Sequence, residues 1–147
     1  MDCRERYYEL IGKIEACPLS SFAYSTLSAS EKKYVADADF SFDDGQGFAV
    51  PMKKRSGSLK ETPSVEVAGY SYEIIVSWEV EDVDAGIYEN LERLKNSVNA
   101  LLITTFGERK MLVVPDEYGY QFLYNESDGN LECELTAYCK CGAQRVL

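Results

Sequence analysis

The chain has 147 residues, 46% of them hydrophobic and 12% aromatic, with eleven Tyr, five Cys, no His and a formal net charge of −10. That is a folding composition of one-domain length, which excludes a disordered chain and a disulfide-dense scaffold. A field of this sign repels phosphate backbones and anionic lipid heads, so nucleic acid is not expected to bind sequence-specifically through a basic face.

The charge is unevenly placed. Residues 65–147 carry fifteen acids against six bases, and from Glu66 to Glu92 there are eight acids and no base. No apolar run approaches the ~18 residues that span a bilayer. The start, Met1 to Arg6, mixes acids with bases and has no apolar run behind it, unlike a signal peptide. The expectation is a protein assembled in a cytosol, with reduced thiols and no membrane partner.

Cys3, Tyr7, Leu10, Ile14 and Cys17 recur at spacings of four and three, which predicts an amphipathic helix over 3–17 stopped by Pro18. Phe22 to Leu27 is an aromatic run with strand character. Ser28 to Glu31 has the look of a capping box, yet Tyr34, Ala36, Ala38, Phe40 and Phe42 alternate with polar residues. The alternation predicts a strand over 33–42, with a helix there as the alternative.

From Asp44 to Ser64 periodicity dissolves into Gly, Ser and Pro around the one basic cluster. The stretch reads as a long mobile loop, with Lys53, Lys54, Arg55 and Lys60 as its assembly residues and a short strand near Phe48. Tyr70 to Val80 then alternates as a strand with one wet face. Glu81, Asp82 and Asp84 supply acids and an N-cap for a second helix over 85–103, whose stripe is Ile87, Leu91, Leu94, Val98 and Leu101. Glu79, Glu81, Asp82, Asp84, Glu89 and Glu92 make up the expected acidic face. Met111 to Val114 is a short strand ended by Pro115. Tyr118 to Tyr124 and Leu131 to Cys141 alternate on either side of Asp128-Gly129, which is a hairpin signal.

These elements imply an α+β fold in one domain, 1–147. Its sheet is mostly antiparallel and mixed, with two helices packed on one face. The core is expected to hold Leu10, Ile14, Ile74, Val76, Leu91, Leu94, Val98, Phe122 and Leu135.

Chemistry is sparse. Without His there is no imidazole base and no Ser-His or Cys-His pair, and no phosphate-binding glycine loop follows a strand. Asp43-Asp44 and Asp82-x-Asp84 resemble carboxylate pairs, but turns and helix starts collect Asp for local hydrogen bonds. Cys139-x-Cys141, with Cys133, could share a strand face, yet no His is present as a further zinc ligand, so buried thiols are the better reading. No metal, cofactor or catalytic residue is expected, and the chain reads as one that binds proteins rather than an enzyme. Tyr on half-exposed strands suits such interfaces.

Taken in order, several stretches resemble the tail terminator (tail-completion) proteins of long-tailed bacteriophages. They are Arg4–Cys17, the loop Asp44–Ser64, Tyr70–Val80 leading through Asp82 and Asp84 to the helix over 85–103, and the closing pair Tyr118–Tyr124 and Leu131–Tyr138. The resemblance lies in the order of elements; the cysteines and the strand near Met111 depart from it. It implies a virion protein of the tail or neck, a homo-oligomeric ring, commonly a hexamer. Such a ring caps the tail tube, touches tail-tube and head-completion proteins, and joins the tail to the head with DNA passing through its lumen. Acidic walls suit that passage independently, because phosphates slide past them. The alternatives are a small acidic phage-encoded inhibitor that mimics nucleic acid and binds a basic nucleic-acid enzyme, and an accessory subunit of an enzyme.

Overall fold

Alternation of apolar and polar residues organises the longest strands, and in the computed structural model it separates an inner from an outer face. The structure describes residues 6–7, 11–24, 34–36, 40–42, 47–66, 69–116, 119–139 and 142–146. Within them the strands run β1 (Arg6–Tyr7), β2 (Ile11–Pro18), β3 (Phe22–Tyr24), β4 (Tyr34–Val35), β5 (Phe40–Phe42), β6 (Phe48–Ala49), β7 (Ser58–Glu66) and β8 (Gly69–Val80). Helix α1 (Ala85–Asn96) follows, then β9 (Asn99–Thr105), β10 (Lys110–Val113), β11 (Tyr120–Ser127), β12 (Asn130–Cys139) and β13 (Gln144–Val146).

Two sheets share one core. The first has the order β1-β7-β8-β12-β11, the second β4-β13-β10-β9-β2-β6, and β3 pairs with β5 alone. All pairings are antiparallel except that of β13 with β4. Ile74, Val76, Trp78, Phe122, Cys133 and Leu135 from the first sheet join Ile14, Leu101, Ile103, Met111 and Val113 from the second in a single buried cluster. The Trp78 and Phe122 rings stack within it, 5.6 Å between centroids.

The expectation of one sheet with two helices on a face is corrected here. Among the described residues there is a single α-helix, and the core lies between sheets. The predicted helix over 3–17, of which 3–5 and 8–10 lie outside the described residues, is overturned by β1 and by β2, which pairs with β9 from Ile11↔Thr105 to Pro18↔Asn99. Its register shifts between Ile11 and Lys13, so Ile11 and Ile14 are both buried with exposed Gly12 and Lys13 between them. The described members of the predicted stripe are Tyr7, Ile14 and Cys17, and Tyr7 lies on β1. Ala16 and Cys17 are both buried, so burial on both faces of the strand here imitates the spacing of three that a helix would show. The strand expected over 33–42 divides into β4 and β5, in different sheets, with 37–39 outside the described residues.

The predicted second helix is also shortened, from 85–103 to Ala85–Asn96. Asp84 caps it, its carboxylate accepting from the Ile87 N–H at 2.9 Å. At the other end Ser97 is extended, and the buried run Asn99 to Thr105 becomes the central strand β9. The Leu94 carbonyl accepts from the Tyr120 hydroxyl at 2.5 Å and from the Asn99 amide at 3.3 Å, which satisfies a terminal carbonyl the shortened helix leaves open. Helix α1 spans the gap between the terminal strands of the two sheets. Tyr124 on β11 donates to Glu92 at 2.6 Å, while Asn90 reaches the Ala49 carbonyl and the Arg93 guanidinium sits 4.1 Å over the Phe48 ring on β6.

The predicted loop 44–64 holds two strands, β6 and the first seven residues of β7; 43–46 lie outside the described residues. Of the expected core, Ile14, Ile74, Val76, Leu91, Leu94, Phe122 and Leu135 are buried. Val98 is half-buried in the turn between α1 and β9, and the burial of Leu10 lies outside the described residues.

Candidate protein-binding surface

The outward-facing row of the first sheet is acidic. On β8, Glu73, Ile75, Ser77 and Glu79 alternate with buried neighbours; on β12, Glu132, Glu134, Thr136 and Tyr138 do the same. Register places Glu132 directly across from Glu79, and Glu134 across from Ser77. On the other side of β12, Asn125 faces Glu132 and Leu123 faces Glu134. Like charges directly opposed on antiparallel strands oppose pairing. A groove of about 640 Å³ runs over this area, bounded by Ser56, Ser77, Glu79, Leu123, Asn125, Glu132 and Glu134.

A turn at residues 53–56 closes one end of the groove. The Lys53 N–H donates to the Glu79 carbonyl at 2.6 Å, and the Ser56 hydroxyl accepts from the Glu79 N–H at 3.0 Å while donating to the Lys53 carbonyl at 2.7 Å. These bonds hold Lys53 with its ammonium 3.8 Å from the Glu79 carboxylate and 3.9 Å from that of Glu81. Both pairs are half-exposed and therefore screened by salt. Lys54 and Arg55 project from the turn, exposed.

The expected assembly residues are thus divided. Lys53, Lys54 and Arg55 stand together on a turn tied to β8, whereas Lys60 lies half-buried on β7. The expected acidic face is also divided. Glu79 and Glu81 surround Lys53, Asp82 is exposed with φ 54°, and Asp84 is occupied as the helix cap. Glu89 is exposed on α1, and Glu92 accepts the Tyr124 hydroxyl, which raises that phenol to about 12, chiefly through this hydrogen bond. Sequence reasoning missed Glu132 and Glu134. Their parity with Thr136 on the polar side of the hairpin was the signal that could have joined them to Glu79.

No catalytic arrangement emerges from the cysteines. Cys17, Cys133 and Cys139 are buried, and burial pushes the Cys133 thiol up to about 12. Cys141, the partner in the Cys-x-Cys reading, lies outside the described residues, as does Cys3. Among the described residues no three potential ligands gather as a metal would need, and no helix is long and apolar enough to cross a membrane.

The chain matches no family model, no curated protein and no solved structure. The surface itself is therefore the ground for a functional reading. It offers carboxylates in rows, a groove and a basic projection, which are means of recognition.

Proposed function

We propose that this chain is a structural subunit of a phage neck, a tail terminator whose copies form a ring around a DNA channel. It binds proteins and catalyses nothing. The observation that carries the reading is the outer face of the first sheet, where Glu79 opposes Glu132 and Glu134 stands beside them. Opposed carboxylates cost stability, so their presence calls for a use of the surface. A channel wall is such a use, because an acidic wall repels phosphates and lets DNA move without adhering. The resemblance in element order adds less, since its N-terminal helix is replaced by β2.

Lys54 and Arg55 supply the second support. They project from an otherwise acidic molecule, and an exposed acid such as Glu89 on a neighbour is a complementary target. Such a contact joins two different patches, and repetition of a heterologous contact closes a ring when its rotation allows. Negative-stain electron microscopy of the concentrated full chain tests this. Annular particles with rotational symmetry are expected; a field of single small particles at every concentration, together with tight binding to a basic nucleic-acid enzyme, would favour the inhibitor reading instead.

A further inference from the structure

Strand β11 ends the first sheet, and among the described residues no strand lies on its outer side. It is a long edge, because β11 has eight residues and pairs with β12 at every one of them. Folded proteins blunt long edges with Lys, Pro or a bulge, cover them with a helix, or keep them short. Helix α1 reaches β11 through the Tyr120 and Tyr124 hydroxyls, and among the described residues no backbone group of α1 bonds the β11 edge. The sequence Tyr120 to Ser127 contains neither Lys nor Pro, and its register is unbroken.

The turn fixes which backbone groups face outward. Asp128 and Gly129 both have positive φ, 51° and 83°, the signature of a two-residue hairpin turn that closes on a hydrogen-bonded Ser127–Asn130 pair. Antiparallel pairs alternate, so Gln121, Leu123 and Asn125 exchange backbone bonds with β12. The N–H and C=O groups of Phe122, Tyr124 and Glu126 then point to the open edge. Leu123, at mid-strand on the outer face, is 56% exposed.

We propose that β11 takes up an extended segment of a partner protein as an added strand, and that this segment carries Lys or Arg at alternate positions. Charge selects the occupant. Glu132 and Glu134 lie one strand inward, Glu126 is on the edge itself and Asp128 is in the turn; Lys95, 5.8 Å over the Tyr124 ring, is the nearby base on the inner side. An added strand would lie two strand spacings, ~10 Å, from β12. A lysine or arginine stem can cover Leu123 over that span and bring its charge toward Glu134. The β11 strand of a second copy is disfavoured as occupant, because Tyr120 to Ser127 offers no base. Main-chain bonds would give affinity and the alternate bases selectivity. The inference stands on the sheet edge and does not require a ring.

The test titrates the full chain with an eight-residue peptide alternating Lys and Val, beside a control alternating Glu and Val, and follows anisotropy and amide exchange. The account expects binding of the basic peptide only, weakened by salt, with exchange slowed at the Phe122, Tyr124 and Glu126 amides. Glu132→Lys with Glu134→Lys should weaken it about tenfold or more while the thermal melt is retained. No binding, equal binding of both peptides, protection elsewhere on the chain, or β11 pairing between two copies would each overturn the proposal.

Discussion

Glu132 sits across from Glu79 with nothing but strand spacing between their backbones, and this pair is the sharpest residue-scale test of the sheet register. Glu132→Gln removes the like-charge opposition and should stabilise the fold by ~0.2–1 kcal/mol at low salt. Urea denaturation at two ionic strengths checks it; a loss of stability would mean that the two carboxylates do not face each other. Glycines give a second contrast. Gly129 and Gly142 both have positive φ, but a Cβ at Gly129 meets open space, whereas one at Gly142 collides with the Glu61 carboxylate and the Tyr72 ring. Gly129→Ala should cost ~1–2 kcal/mol from backbone strain alone. Gly142→Ala should cost clearly more, because Glu61 is buried and accepts the Ala143 N–H at 3.0 Å. Equal melting temperatures for the two variants would contradict that placement. The thiols add a chemical readout. Cys17, Cys133 and Cys139 are buried, so peptide mapping after brief alkylation of the native protein should find them unmodified. Tyr124 titrates in the opposite sense to an acid-sensitive group. Its phenol is raised from 10.0 to about 12, so the stability it contributes is complete below pH 10 and is lost as pH climbs toward 12.

At the scale of elements, the sequence was legible where its periods were unbroken. Tyr70 to Val80 and the closing hairpin alternate cleanly, and they are β8, β11 and β12. Three departures have separate physical causes. In β2 adjacent Ala16 and Cys17 are both buried, so Ile14 and Cys17 imitate helical spacing. In α1 the stripe of Ile87, Leu91 and Leu94 runs on by coincidence into Val98 and Leu101. The strand that contains Leu101 carries the unbroken apolar run Ala100 to Ile103, which shows no alternation to distinguish it from helix. In β7 the inward positions are Leu59, Glu61 and Pro63, so a strand hides behind an acid and a proline. Among the described residues β1 pairs with Lys60 and Glu61 and with no position as far as Pro63, where a missing N–H is tolerated on a strand edge. The candidate surface was half legible for the same reason. Acids in sequence clusters, Glu79 to Glu92, were apparent, while the cross-strand partners Glu132 and Glu134 required the register. Helix α1 carries the element-scale prediction. Leu94 is fully buried between the sheets, and Leu94→Ala should cost about 2–5 kcal/mol, read by urea denaturation; a change near zero would mean that this face of α1 does not enter the core.

For the whole molecule, two sheets enclose the core, α1 closes the gap between their ends, and the first sheet turns an acidic face outward. Lys53 is held within its own chain, while Lys54 and Arg55 are exposed and are the bases proposed to contact a second copy. Trypsin should cut the separate subunit at this turn and spare it in the assembly. Protection should fade as salt shortens the Debye length below ~10 Å. Ring formation by like copies is the central claim, and the mass of the full chain in native solution measures it most directly. The account predicts a symmetric oligomer, expected to be a hexamer, whose mass is a whole multiple of 16.6 kDa and which dissociates as salt is raised. A mass that stays at 16.6 kDa across concentration and salt would contradict it.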